Sequence, residues 1–330
     1  MLSIKNVSQD NTKGFSRLEF DIIGKNVDHV VVNTLRRIVL SEVPIYAFTE
    51  FIFNKNNSVF HNNFLKNQIK NLPVWGINNK IEFFEKIKII KNDIIEEVDN
   101  LEDNVDFTVD KKIDSTSLDQ LTMYVDYTNK TNDIVSVTTE HAKFYFAQKQ
   151  IPNPYPTPIQ LVKLQNNQHI NFSVITSIGI EKDKAYYSPV SICVYEEKKE
   201  DNFRFIIESK GQLTEKVILH RAIINLTKKL ENILEQITIS FNNLEQSNVL
   251  VLERIEIKNE DHTIGNLLSR GLQNHKNVSF ASYHLPHPLE KRVIIEYKLK
   301  SGKFIEVLKD VTNEFIELYN KLDKLIEKAN

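Results

Sequence analysis

Cysteine is nearly absent from this chain of 330 residues, with one copy, Cys193. A single thiol cannot close an intramolecular disulfide or supply a thiolate-rich metal site, and it suits a reducing, intracellular compartment. Net charge is nearly absent too, at −2 for the whole chain, so no basic stripe for wrapping nucleic acid is in view. No apolar run approaches the ~18 residues of a membrane span, and Met1–Gly14 is too polar for a signal peptide. Gly179 and Gly211 each stand alone and form no phosphate-cradling loop. What remains is an ordinary soluble globular composition, 41% hydrophobic and 26% charged. Its length leaves room for roughly two domains.

The most informative stretch is Asn259 to Glu290. Asp261 and Thr263 are both candidate N-caps, since either side-chain oxygen can accept from an orphan amide of a first helical turn. Ile264, Leu267, Leu268 and Leu272 then form one apolar helical face. Gly265 and Gly271 on that helix lack a Cβ, which suggests close approach by another backbone. A strand from Val278 to Tyr283 follows, ended by Pro286 and Pro288. An echo lies near the other end of the chain, where Asn33, Leu35 and Arg37 repeat Asn266, Leu268 and Arg270, and Val31, Leu35 and Ile38 make the matching stripe. Each copy continues into strands and closes with a long heptad stripe. One runs Leu219, Ile223, Leu226, Leu230, Ile233 and Ile237; the other runs Leu308, Val311, Phe315, Leu318, Leu322 and Leu325. Such stripes suit a helix lying along another helix. Three matched elements in one order point to a duplicated unit.

Between the copies the chain reads less clearly. Leu2–Asn6 and Arg17–Ile23 are expected to be strands around a polar turn at Gln9–Gly14. Asn62–Lys70 reads as a short helix closed by Leu72–Trp75, and Leu121–Tyr127 and Ile134–Thr139 as strands. An acidic patch spans Glu96–Asp106. Ile151–Pro158 must be extended, because its prolines remove amide donors and fix φ. His169–Ile180, Val190–Glu196 and Phe203–Ser209 read as strands, and the polar stretch 242–248 as a joint.

No group of residues here carries chemistry. His284 and His287 sit three apart with no third ligand, and Asp261 beside His262 reads as helix capping without a nucleophile, so no catalytic, cofactor or metal residues are assigned. Cys193 reads as a buried small hydrophobe. Lys182 and Lys184 lie among acids and read as solvated surface. Arg36 and Arg37 are candidates for phosphate contacts, but two arginines at a helix end are more commonly surface charges or interface forks.

Asp261–Leu268 and Pro286–Leu289 resemble the Asp-His-Thr-Leu-Gly-Asn-Leu-Leu and Pro-His-Pro-Leu motifs of a small RNA polymerase subunit, archaeal L and the eleventh polymerase II subunit. Ile264 is the one change. Asn33–Arg37 with Val43-Pro44 resembles the larger partner, archaeal D, the third polymerase II subunit and bacterial alpha; so do Leu161–Leu164, Tyr187–Val190 and Glu208–Leu213. Gln68 stands where that family usually has arginine. The resemblance is to two polymerase subunits fused head to tail, as in some large DNA viruses.

It implies an α+β fold of two alpha-like dimerisation units, antiparallel sheets packed on helices, that form an intramolecular pseudo-dimer with a β-rich domain inserted in the first. The expected boundaries are 1–50 plus 194–241 for the first unit, 51–193 for the insert, 242–248 for a linker and 249–330 for the second. The implied role is a non-catalytic assembly platform for the two largest polymerase subunits and a small tenth-subunit-like protein, with no direct sequence-specific DNA binding and no membrane binding. For a viral chain it would work in the virion, the host cytoplasm or a viral factory. The expected intramolecular interface is Leu35, Ile38, Ile264, Leu267, Leu268, Leu272, Phe315, Leu318 and Leu322, with Arg36 and Arg37 meeting a large subunit. The zinc or iron–sulfur site of some relatives does not carry over, because the insert holds no matching cysteines, and no cofactor is expected. A free-standing DNA- or protein-binding transcription factor is the competing reading, and the missing basic stripe counts against its contacting DNA directly.

Overall fold

The computed structural model describes residues 2–12, 15–75, 120–241 and 252–329. The acidic patch at Glu96–Asp106 and the expected joint at 242–248 lie outside the described residues. The chain opens with β1 (Ser3–Thr12) and β2 (Phe15–Ile23), paired antiparallel, and α1 (His29–Ser41) follows. Of the polar turn expected at Gln9–Gly14, the residues Gln9–Thr12 are strand instead. β1 runs on to Thr12 through an irregularity between Lys5 and Ser8, because backbone pairing with β2 tolerates polar side chains on an open face.

Next come β3 (Ile45–Asn56), α2 (Asn62–Lys70), β4 (Leu121–Thr128), β5 (Val135–Thr138), β6 (Ala142–Phe146), β7 (Lys149–Ile151), β8 (Gln160–Leu164) and β9 (His169–Gly179). β10 (Val190–Lys199), β11 (Asn202–Ser209) and α3 (Glu215–Phe241) lead to β12 (Glu253–Lys258), α4 (His262–Asn274), β13 (Val278–His284), β14 (Arg292–Leu299) and α5 (Phe304–Lys328).

The chain folds as two compact units. One is Tyr46–Ile178; the other joins Met1–Ile45 to Gly179–Asn330. The smaller unit carries a five-stranded sheet in the order β3-β9-β4-β6-β7 and a β5-β8 pair, over a core that includes Phe48, Leu65, Met123, Phe144 and Phe172. The segment from Gly179 to Cys193, expected in the insert, belongs to the larger unit, because β10 pairs with β11 in the first sheet.

In the larger unit the duplication is explicit. Its first sheet runs β1-β2-β11-β10 and its second runs β12-β14-β13. Strand, helix, two strands and long helix therefore recur in the same order: β2, α1, β10, β11 and α3, then β12, α4, β13, β14 and α5. β1 is the one addition. α1 packs on β10 as α4 packs on β13, and α3 lies along α5. Each long helix follows a glycine at positive φ, Gly211 at 94° and Gly302 at 85°, a backbone region that only glycine enters freely. The buried stripes also match: Ile218, Leu219, Leu230, Ile233 and Ile237 on α3 correspond to Val307, Leu308, Tyr319, Leu322 and Ile326 on α5.

Candidate assembly interface

The two halves of the larger unit meet where α1 packs against α4. Leu35 and Ile38 on α1, and Ile264, Leu267, Leu268 and Leu272 on α4, are all buried, as their spacing requires. Each such leucine or isoleucine contributes about 1.5–3 kcal/mol by leaving water. Asp28 caps α1, its carboxylate accepting from the amides of Val30 and Val31 at 3.0 Å. Asp261 caps α4 by accepting from Thr263 N at 2.8 Å. Of the two cap candidates, then, Asp261 is the cap, and Thr263 sits inside the first turn with its hydroxyl turned to the other helix.

That hydroxyl receives Arg37. Its Nε donates to Thr263 Oγ1 at 2.7 Å, and its guanidinium lies 3.9 Å from Asp261. On the opposite side Arg270 Nε donates to Asp28 Oδ2 at 2.9 Å. Equivalent arginines thus each reach the N-terminus of the other helix, the reciprocal contact that a two-fold interface demands. Each also sets a cation at a capping carboxylate. Arg37 is therefore not wholly free for an outside partner, although its side chain keeps 41% exposure. Arg36 turns back on its own helix, with Nε and one terminal nitrogen on Asn33 Oδ1 at 3.0 and 2.9 Å.

The long helices complete the interface. Leu322 is buried as expected, but Phe315 and Leu318 are only half-buried. The stripe shifts to Tyr319, whose hydroxyl donates to the Val31 carbonyl at 3.0 Å and ties α5 to α1. Burial pushes that phenol well above its ordinary pKa. A leucine-based heptad count passes over this residue, because a tyrosine fits an apolar stripe when its oxygen finds a partner. The glycines of α4 are approached by side chains, not by the backbone expected. A Cβ on Gly265 would stand 2.7 Å from both Tyr283 and Val293, and one on Gly271 2.4 Å from Val311 and 2.6 Å from Phe315.

One end of the crossing holds a charge network that sequence reasoning missed. Glu42, the C-cap of α1 at 6% exposure, accepts from Lys229 of α3 at 2.6 Å and from Lys182 at 3.4 Å. Lys229 also reaches Glu260 at 3.3 Å, and Lys182 reaches Asp261 at 2.9 Å. Asn225 donates to the Glu42 carbonyl at 2.9 Å, and the Lys182 amide to the Ser41 carbonyl at 3.0 Å. Lys182 is thus tied to the junction by its ion pairs while it stays exposed, as expected of it. Burial pushes the Glu260 carboxyl up to about 7, outweighing the attraction of Lys229. Burial also works against the charge of Asp261, yet bonds from Thr263 and Lys182 hold its carboxyl well below the usual range.

Among the described residues no group of three or more histidines, cysteines or acids is arranged to hold a metal. Cys193 is buried, and burial pushes its thiol up to about 12, far from a reactive thiolate. His287 accepts from Leu289 N at 3.2 Å within its own turn. No described helix is long and apolar enough to cross a membrane.

The family model for the RNA polymerase Rpb3/Rpb11 dimerisation domain matches residues 19–230, and a second model of the same description matches 253–325. A putative DNA-directed RNA polymerase subunit of Acanthamoeba polyphaga mimivirus is 26% identical over 333 aligned positions, covering 94% of this chain and 90% of its own length. The Rpo11 subunit of the DNA-directed RNA polymerase of Saccharolobus solfataricus is 37% identical and covers 24% of the chain, with 91% of itself aligned. The corresponding Rpo3 subunit of Methanocaldococcus jannaschii is 26% identical and covers 62% of the chain, with 83% of itself aligned. The two family matches fall one on each half of the duplicated unit.

Proposed function

Because the chain belongs to the RNA polymerase Rpb3/Rpb11 dimerisation-domain family, we propose that it is an Rpb3-like and an Rpb11-like subunit in one polypeptide, the assembly platform of a multisubunit DNA-directed RNA polymerase. The observation that carries this reading is the α1–α4 crossing. Two halves of one topology, each matching the family, meet through reciprocal contacts inside a single compact unit. Pairing within one chain avoids much of the translational and rotational cost of bringing two subunits together, and it holds their ratio at one to one.

On this reading the chain contributes no catalytic group. Its partners are the two largest polymerase subunits and a small tenth-subunit-like protein, and it works in a viral or host cytoplasmic setting. Arg36 and the exposed part of Arg37 remain the groups proposed to meet the second-largest subunit. Arg37→Ala also removes an intrachain bond, so Arg270→Ala is its control: only the Arg37 variant should lose the large subunit, by about 1–3 kcal/mol. The direct test is affinity purification of the tagged chain from its natural source. The two largest subunits should co-purify in equal proportion to it. Recovery of the chain alone, or on DNA without them, would overturn the proposal.

A further inference from the structure

The two-fold relation between the halves holds for the helices and fails for the charges. Equivalent positions follow from the caps and from the buried stripes. Glu42 and His275 are the C-caps of α1 and α4. Glu260 and Val27 each precede an N-cap aspartate, Asp261 and Asp28. Lys229 precedes Leu230, whose counterpart is Tyr319, so Lys229 corresponds to Leu318. One end of the crossing therefore carries Glu42, Lys229 and Glu260, while the equivalent positions at the other end are His275, Leu318 and Val27. Val27 is buried, as Glu260 is.

We infer that Glu260 and Lys229 are specificity-determining residues for pairing, which make the second half accept the first half and reject a copy of itself. The reciprocal arginine contacts supply little of that choice. Asp28 with Arg37 on one half repeats Asp261 with Arg270 on the other, so like halves would find the same aspartates, and two first halves would lose only the Thr263 hydroxyl, whose counterpart is Val30. The charge network is different. Two second halves meeting by the same geometry would bury both Glu260 carboxylates against Leu318 and His275, with no lysine. Two first halves would face Lys229 with Val27 in place of Glu260. A buried carboxylate stripped of its cation is heavily penalised, so discrimination comes from what the wrong pair leaves unmet. The inference stands on the α1–α4 geometry and does not depend on which large subunits are bound.

The test uses full-length chains. Tagged and untagged copies are unfolded together, refolded at high concentration and captured through the tag. Wild type sets the baseline, since chains that exchange halves in the correct first-to-second sense also form dimers. The double variant Lys229→Leu with Glu260→Val makes the charged end resemble the apolar end, and it should raise the captured untagged fraction by about ten-fold, the ratio that 1.4 kcal/mol of lost discrimination produces. Capture equal to wild type would overturn the inference. Should that variant fail to refold, Lys229→Met and Glu260→Gln keep the side-chain shapes and give a second reading from melting temperature. Lys229→Met alone should lower Tm more than it does in the presence of Glu260→Gln. Strictly additive shifts would show that the two side chains are not coupled, and would equally overturn it.

Discussion

The two ends of the α1–α4 crossing share a geometry and differ in chemistry. At each end an arginine of one helix reaches the capped N-terminus of the other. Only one end adds lysines to buried carboxylates; the matching positions at the other are apolar or histidine. The difference separates two jobs that a list of contacts would merge. The shared geometry makes the halves fit together, and the unshared charges make the fit directional. Buried ion pairs are poor sources of stability but effective at rejecting wrong arrangements.

The harshest way to break the comparison is to attack what both ends share. Leu268→Asp puts a carboxylate at a fully buried position of the crossing. Loss of about 3–5 kcal/mol is expected, read as an early denaturant midpoint or as protease sensitivity. A soluble mutant of wild-type stability would contradict the crossing itself. Next in size is Lys229→Met, which leaves Glu42 and Glu260 short of a cation. About 2–4 kcal/mol should be lost, against under about 1.5 kcal/mol for Leu318→Met at the equivalent position. Equal losses would erase the distinction between the ends. The arginines come third. Arg37→Ala and Arg270→Ala should each cost about 0.5–1 kcal/mol, because both side chains are some two-fifths exposed and solvent screens them. Urea midpoints for the two variants should coincide, and a large gap between them would show that the clamp is not symmetric.

The smallest effect is a pH dependence confined to the charged end. Glu260 has its carboxyl raised to about 7, above an unfolded value near 4.5, so the folded state holds that proton more tightly. The stability this group adds is complete below about pH 4.5 and is lost as pH rises through 7. Glu260→Gln should therefore gain in Tm on wild type between pH 5 and pH 8. A constant difference across that range would show that Glu260 does not titrate there.

Periodicity and capping were the legible parts of this sequence. The spacing of Ile264, Leu267, Leu268 and Leu272 predicts the buried face of α4, and Asp261 is one of the two cap candidates that mark its start. Asn62–Lys70 is a helix over the expected residues. The repeat of Asn33, Leu35 and Arg37 leads to the crossing, because helix period and spacing survive duplication. What was not legible depends on three dimensions. Glu42, Lys182, Lys229 and Glu260 are scattered along the chain, and no spacing rule joins them. Arg37 looks like an outward fork until Thr263 is seen opposite it. Tyr319 looks like an interruption of a leucine stripe until its hydroxyl finds the Val31 carbonyl. In each case the sequence carries the group and the fold carries its partner.

The two glycines of α4 have a mechanical consequence. Gly265 admits the Tyr283 ring and Val293 from the sheet, and Gly271 admits Val311 and Phe315 from α5, so the helix is notched where its neighbours press in. A slide of one residue, about 1.5 Å, or a turn of about 100°, would set a Cβ-bearing residue where a notch must be. Opposing notches leave α4 a single seat, neither able to creep along its axis nor to roll about it. A joint of this kind has no intermediate settings. All four neighbours belong to the second half, so α4, its sheet and α5 move as one keyed piece and present a fixed face to α1.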